Sequence, residues 1–156
     1  MDNLPEVSFS PIGIVRNSVT EKPDQGFDWS NVVSELVIAP ALAKGLDGIT
    51  NFSHIGVIWW PSLATDPGKM ALKVKPRGLS QFNKVGVFAS RSPYRPNAIA
   101  QTVVRLRSRR GNILRVAGLD AVSGTPILDI KPYIPGYDSA EDATAPPWAK
   151  HHRPGH

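Results

Sequence analysis

Fifteen prolines and 13 glycines are spread along the 156 residues of the chain. Between them, no stretch keeps the apolar spacing of an α-helix for more than about two turns. Short runs with β-strand character recur instead. They cover residues 7–16, 32–38, 54–60, 70–74, 85–89, 99–106, 113–119 and 127–133. Eight short strands with turn signals between them predict a mainly β fold, a single-domain antiparallel β-barrel with short helices.

Local signals refine this prediction. Residues 109–112, Arg-Arg-Gly-Asn, separate two strands and predict a hairpin. Gly124 is expected to take a positive φ in the turn of residues 123–126. One short helix is predicted to begin after Pro40, with Gly45 as its C-cap. We expect a barrel domain over residues 1–138 and a Pro-rich extended tail over 139–156, anchored by Trp148.

Several classes of function are excluded by what the sequence lacks. It has no cysteine, which removes thiolate catalysis and Cys-ligated zinc. Neither the dinucleotide-binding glycine motif nor the P-loop occurs, so a Rossmann-type enzyme is not expected. His151, His152 and His156 cluster at the end of the chain, where we interpret them as fortuitous, and no metal site is predicted. The N-terminus lacks a signal-peptide pattern and the longest apolar run, 55–61, is too short to span a bilayer, so we expect a cytoplasmic protein without membrane contact.

Basic residues are concentrated in one segment. Residues 67–119 contain 12 Lys and Arg and no Asp or Glu, whereas the rest of the chain has the remaining 6 basic residues and all 13 acidic ones. Such separation of charge favours a polyanionic partner. The alternative is that these side chains pair with the acidic flanks after folding. For a nucleic-acid partner, the candidate contacts are Arg95, Arg105, Arg107, Arg109 and Arg110.

The densest group of polar residues is Gly-Val-Phe-Ala-Ser-Arg-Ser-Pro-Tyr-Arg-Pro-Asn at 86–97. Arg91 and Arg95 are mounted there beside two prolines, which fix φ and keep the backbone stiff and non-helical. A preordered guanidinium loses less entropy when it binds a carboxylate or phosphate. The segment is therefore a candidate ligand site, although a rigid surface turn could use the same residues.

A second group follows the basic segment. Asp120 and Asp129 are the first carboxylates after it, and Asp129, Lys131 and Tyr133 alternate along a predicted strand, which puts them on one face. This face could carry acid–base chemistry, or an ion pair that stabilises the barrel. His54, at the start of an apolar strand, is interpreted as a hydrogen-bonded structural histidine rather than a general base.

These two groups, in this order, resemble the TsaA-like (TrmO-type) tRNA methyltransferases. Two earlier blocks, Pro-Ile-Gly-Ile-Val-Arg at 11–16 and Gly-Leu-Asp-Gly-Ile-Thr-Asn-Phe-Ser-His at 45–54, fit the same pattern. The resemblance covers about residues 8–138. Two segments depart from it: residues 23–29 stand in place of the family's proline-arginine-glutamine segment, and Pro61-Ser62 in place of its phenylalanine-histidine.

The resemblance implies a homodimeric, non-Rossmann β-barrel that uses S-adenosylmethionine to methylate N6 of threonylcarbamoyl-adenosine beside a tRNA anticodon. The predicted cofactor contacts are Arg91, Ser92, Val103, Trp29, Ser62, Asp120, Ala121, Val122 and Ser123. Methyl transfer needs positioning more than acid–base power. The acceptor nitrogen must still lose a proton, for which Asp129, Lys131 and Tyr133 are the catalytic candidates. Two alternatives remain: a methyltransferase for a different, small-molecule acceptor, and a non-catalytic RNA-binding barrel.

Overall fold

The computed structural model describes residues 3–63, 66 and 68–150. Six of its strands form a closed antiparallel barrel in the order β1-β2-β7-β6-β3-β8. The other two, β4 and β5, form a separate two-stranded sheet. The strands are β1 Gly13–Arg16, β2 Val33–Ile38, β3 His54–Trp59, β4 Lys73–Val74, β5 Val85–Gly86, β6 Ala100–Arg110, β7 Ile113–Ala117 and β8 Pro126–Pro132. The predicted fold class is therefore confirmed.

Alternation along the strands separates the core from the outer wall. Inward-facing aliphatic side chains from five different strands fill the barrel and are fully buried: Val15, Leu36, Ile55, Val57, Leu114, Val116 and Ile127. The outward positions carry the charged side chains of the same strands. On β2, for example, Glu35 lies outside between the buried residues Ser34 and Leu36.

Some predicted elements are shorter than expected. Of the strand predicted over 7–16, only Gly13–Arg16 forms. The preceding residues, including Val7 and Phe9, stay exposed, and Pro11 has no N–H to donate to a ladder. The strand predicted over 70–74 reduces to Lys73–Val74. The strand predicted over 85–89 reduces to Val85–Gly86, because Val87–Ala89 turns into a 3₁₀ helix.

The strand predicted over 99–106 is longer and runs to Arg110. Its pairing with β7 shifts between Leu106 and Ser108, so Arg107 is an extra, bulged residue. The hairpin that follows has Gly111 and Asn112 at its turn, as predicted, with Gly111 at φ +60°.

The helix predicted after Pro40 is a 3₁₀ helix, Pro40–Leu46, and its C-cap is Asp47 rather than Gly45. Further 3₁₀ turns are Ile49–Asn51 and Pro76–Gly78. The predicted extended tail is wrong at its centre, because Pro147–Lys150 forms a helical turn, α1. Trp148 is half-buried there. The histidines at 151, 152 and 156 lie outside the described residues.

Candidate active site

A cavity of about 250 Å³ opens at one end of the barrel. Three parts of the chain meet around it: the segment after β1, the end of β3, and the loop between β7 and β8. Its walls are Lys22, Pro23, Asp24, Gln25, Gly26, Phe27, Trp29, Trp59, Asp120, Ala121, Val122 and Thr125. Acidic, aromatic and small apolar side chains, with one basic side chain, Lys22, thus face one space. The segment in which the sequence departs from the family pattern, 23–29, supplies half of this wall.

A hydrogen-bonded chain fixes the carboxylate of Asp120 at the cavity. The hydroxyl of Thr102 on β6 donates to Asp120 Oδ1 at 2.6 Å and accepts from the indole N–H of Trp59 at 3.2 Å. Thr102 and Trp59 are 4% and 6% exposed, so water does not compete for these bonds. Because a hydroxyl has one proton and two lone pairs, a single threonine satisfies both neighbours. The carboxylate is therefore oriented before any ligand arrives.

Asn17, just after β1, holds the loop of residues 120–125. Its side-chain amide donates to the carbonyl of Ala121 and to Ser34 Oγ, both at 2.9 Å, and its backbone N–H donates to Ser123 Oγ. Gly124 takes the positive φ, +90°, that the sequence predicted for this turn. The loop of residues 120–125 is thus hydrogen-bonded to the segment directly after β1, more than 100 residues earlier in the sequence.

The other wall is built by a short, locally ordered segment. The rings of Phe27 and Trp29 pack edge to face with centroids 5.0 Å apart. Between them, the Asp28 carboxylate accepts bonds from the hydroxyl and the backbone N–H of Ser30, which lower the pKa of Asp28 below its ordinary value. The Gln25 side chain donates to the carbonyl of Arg77.

Four of the predicted cofactor contacts, Trp29, Asp120, Ala121 and Val122, line this cavity. A fifth, Ser123, adjoins it through its bond with Asn17. The other four do not line the cavity in this chain: Arg91, Ser92, Val103 and Ser62. Sequence reasoning missed Thr102 and Asn17. Thr102 could have been found as a polar residue at an inward position of an otherwise apolar strand face.

The loop that carries Arg91, predicted to be stiff from its prolines, is held by hydrogen bonds within itself. The guanidinium of Arg95 donates to the carbonyls of Ser90 and Ser92 at 3.1 and 3.3 Å and lies 6.0 Å from the Phe88 ring centroid. Arg95, a predicted RNA contact, therefore bonds its own loop. Arg91 is exposed and forms no hydrogen bond or ion pair with any residue the structure describes.

Asp129, Lys131 and Tyr133 do share one side of the chain, as the alternation predicted, but it is the outer wall of the barrel. Asp129 Oδ2 lies 2.8 Å from Lys131 Nζ, with the two side chains 47% and 70% exposed. The bond to Asp129 and its charge raise the pKa of Lys131 above its ordinary value. The Tyr133 ring faces His54, whose Nδ1 is 2.8 Å from Ser53 Oγ. His54 is thus hydrogen-bonded and half-buried, as interpreted from the sequence.

Most of the basic segment does not pair with the acidic flanks. Of its 12 Lys and Arg, only Lys69 and Arg109 form an ion pair within the part of the chain that the structure describes. The guanidinium of Arg109 is occupied by intramolecular hydrogen bonds: it donates to Asp47 Oδ1 and to the carbonyls of Ala43 and Gly111 at 2.8–2.9 Å. Arg105, Arg107 and Arg110 are exposed on β6.

The side chains that line the cavity fit an adenosyl group that carries a sulfonium. Aromatic rings and the small apolar residues Ala121 and Val122 suit a flat heteroaromatic base. The fixed carboxylate of Asp120 can accept bonds from hydroxyl or amino groups. Asp24 and Asp120 together outnumber the one basic residue of the lining, Lys22, and this negative excess favours a cation. Residues Asp120, Trp29 and Ala121 would therefore hold S-adenosylmethionine. No group of three potential metal ligands occurs among the described residues.

Comparison with known proteins agrees with the barrel fold. The model of the tRNA-methyltransferase O N-terminal domain matches residues 15–139. This match and the closed barrel place the domain in the methyltransferase class, outside the Rossmann type. The chain belongs to the tRNA-methyltransferase O N-terminal domain family, and the resemblance noted in the sequence is confirmed.

Relatives and solved structures extend the match. A "Probable S-adenosyl-L-methionine-binding protein" of Methanothermobacter thermautotrophicus is 42% identical over 137 residues, 86% of this chain and 95% of the relative. The rat "tRNA (adenine(37)-N6)-methyltransferase" is 40% identical over 110 residues, 69% of this chain and 24% of the enzyme. The crystal structure of TrmO from Pseudomonas aeruginosa superposes with a TM-score of 0.69 at 32% identity, covering 90% of this chain. The chain spans 62% of that crystallised protein. Among the described residues, no helix is long and apolar enough to cross a membrane.

Proposed function

We propose that this protein is an S-adenosylmethionine-dependent methyltransferase that modifies an adenosine of tRNA. The observation that carries the proposal is the preordered Asp120 carboxylate facing an aromatic wall, in a family whose members include S-adenosylmethionine-binding proteins and a tRNA adenine N6-methyltransferase. A tRNA substrate would place the activity in the cytoplasm, where the sequence led us to expect the protein.

The protein's own contribution is positioning. S-adenosylmethionine, when bound, supplies an electrophilic methyl group. Asp120 accepts hydrogen bonds from the ligand in one orientation, because Thr102 holds it there. Trp29 and Phe27 give the cavity an aromatic wall against which an apolar face of the ligand can pack. Fixing two reactants in a productive geometry is the largest contribution that such a site can make to a displacement reaction.

Arg91 remains a proposed cofactor contact, with Ser92, Val103 and Ser62. The stiff loop bonded by Arg95 presents the Arg91 guanidinium without an internal partner. Such a group suits the carboxylate of a methionine moiety that projects out of the cavity. Losing it should weaken cofactor binding by about 10- to 100-fold, the equivalent of about 1.5–3 kcal/mol.

The proton acceptor is proposed to come from the outer wall of β8. Asp129 is accessible and is held beside Lys131 at 2.8 Å, so a proton taken by this pair can pass to solvent. Tyr133 lies one further outward position along the chain. For methyl transfer, the acceptor base would have to bring its nitrogen both to the methyl group held at the cavity and within hydrogen-bond reach of Asp129.

We also propose a homodimer. The chain between β3 and β6 leaves several large apolar side chains exposed: Trp60, Leu63, Met70, Leu72, Phe88 and Ile99. A monomer gains nothing from such exposure, whereas a second copy would cover it. The same part of the chain carries Arg91, so the subunit contact would lie near the cofactor. Light scattering is expected to give twice the 16.9 kDa chain mass at micromolar concentration.

Calorimetry followed by methyl transfer tests the function. The protein should bind S-adenosylmethionine and transfer its labelled methyl group to unfractionated tRNA. Arg91→Ala should weaken cofactor binding, and Arg105→Ala, which removes another exposed arginine, should not. Cofactor binding without transfer to tRNA would favour the alternative of a different acceptor. Binding of tRNA without cofactor would favour a non-catalytic RNA-binding barrel.

A further inference from the structure

A second concavity lies on the outer wall of the barrel, away from the core. It has a volume of about 520 Å³ and crosses strands β1, β2, β7 and β6. Its lining is Arg16, Asn17, Val33, Glu35, Ser108, Arg110, Ile113 and Arg115. We call it the arginine groove. Three guanidinium groups and one carboxylate face it, which leaves an excess of two positive charges.

The strand register sets these side chains in a line. Arg16 is directly opposite Glu35, Glu35 is opposite Arg115, and Arg115 is opposite Ser108. Neighbouring strands are about 4.8 Å apart, so the line crosses the groove over about 14 Å. Arg110 lies beside it on the next outward row, opposite Ile113. The groove therefore sets Arg16, Arg115 and Arg110 on two neighbouring rows, with Glu35 between Arg16 and Arg115.

Two of the arginines are free to bind a ligand. Arg110 and Arg115 form no hydrogen bond or ion pair with any residue that the structure describes. Arg16 is oriented by Glu35, whose Oε2 accepts its Nε–H and an Nη2–H at 2.8 and 2.6 Å. Glu35 is the one carboxylate among the described residues that line the groove, so within that lining the guanidinium groups of Arg110 and Arg115 have no anionic partner.

The groove is connected to the cofactor cavity through one residue. Asn17 lines the groove, and its side-chain amide donates to the carbonyl of Ala121, which lines the cavity. A chain of phosphates lying along the arginines would therefore end beside the loop that holds the cofactor. An isolated small anion would not need a groove of this length.

We propose that the arginine groove binds the sugar-phosphate backbone of the RNA substrate next to the modified nucleotide. The proposal rests on the proposed tRNA function and adds Arg16 and Arg115 as contacts, while Arg109 is left out because Asp47 and two carbonyls occupy it. Guanidinium forks suit phosphate oxygens, and Ser108 and Asn17 add neutral polar groups. The apolar Val33 and Ile113 suit the ribose carbons.

The test is the salt dependence of tRNA binding by Arg110→Gln/Arg115→Gln. Each phosphate contact contributes about 0.7–0.9 to the slope of log K against log salt, so the double variant should lose about 1.4–1.8 from it. Affinity for unfractionated tRNA should fall at least about tenfold at moderate salt. Lys44→Gln/Lys84→Gln removes the same charge from exposed positions outside the groove and should keep the parent slope.

Cofactor binding separates the possible failures. Both double variants should bind S-adenosylmethionine like the parent, which also shows that they are folded. If the parent binds tRNA and the groove variant keeps its slope and affinity, or if the lysine control loses as much, the groove assignment is overturned while the tRNA function stands. If the parent itself shows no salt-dependent affinity for tRNA, both proposals fall.

Discussion

Replacing Thr102 by valine isolates the bond that orients Asp120. Valine matches threonine in shape but has no hydroxyl, so two groups lose a partner at once: the indole N–H of Trp59 and one oxygen of Asp120. The indole is 6% exposed and would stay without an acceptor, which costs about 1–3 kcal/mol. Asp120 is half-buried, so water replaces part of what it loses. We expect the free energy of unfolding to fall by about 2–3 kcal/mol.

Urea unfolding followed by tryptophan fluorescence measures that loss, and calorimetry with S-adenosylmethionine measures its consequence for binding. An Asp120 carboxylate that is no longer fixed should bind the cofactor about tenfold more weakly, equivalent to about 1.4 kcal/mol. Thr102→Ser keeps the hydroxyl and removes only a methyl group, so it should keep cofactor affinity within about twofold of the parent. Parent-like affinity in the valine variant would refute the positioning role of Thr102, and an equal loss in the serine variant would assign the effect to packing instead.

Three further predictions address other parts of the molecule. Trp29→Ala, which removes a ring from the cavity wall, should weaken cofactor binding about tenfold by calorimetry, whereas Phe9→Ala, which removes an exposed ring outside that wall, should not. Arg109→Gln should lower the free energy of unfolding, measured in urea, by about 1–2 kcal/mol, because it removes the bonds of the Arg109 side chain, which is 22% exposed, to Asp47 and two carbonyls. Unchanged stability would contradict this. Because the pKa of Lys131 is raised in the folded protein, its pairing with Asp129 stabilises the fold fully at pH values below 10.5, the ordinary pKa of lysine. This stabilisation is lost as the pH rises through the pKa of Lys131 in the folded state. Between about pH 9 and 12, the melting temperature should therefore fall less steeply for Lys131→Met than for the parent. Parallel curves of melting temperature against pH would argue against a stabilising role for the pair.

The strands and turns of the barrel could be predicted because each is marked by residues that are close together in sequence. Alternation of apolar residues marks each strand, and Gly111 and Gly124 mark turns that need their backbone conformations. Pairing partners are not local. Nothing in the spacing indicates that β8 lies between β3 and β1, or that the pairing at Arg107 contains a bulge.

The residues of the candidate site follow the same rule: those within a contiguous segment could be predicted, and those that depend on distant contacts could not. Asp120, Ala121 and Val122 could be predicted because they are contiguous and match a family segment. Thr102 and Asn17 act through contacts with residues far away in sequence, so no motif contains them. Arg109 was predicted as an RNA contact from its charge alone, and only the fold places Asp47 against it.

The bond from Asn17 to Ala121 joins residues 104 positions apart, and Asn17 also donates to Ser123, 106 positions along the chain. The cavity is therefore absent until β1 pairs with β8 and the barrel closes, and such distant pairings are slow to form. A ligand of this cavity recognises the closed barrel and not its separate hairpins, so it should stabilise the domain against global unfolding. Refolding in the presence of labelled cofactor should show binding capacity return with the slowest folding phase, as the last event rather than the first.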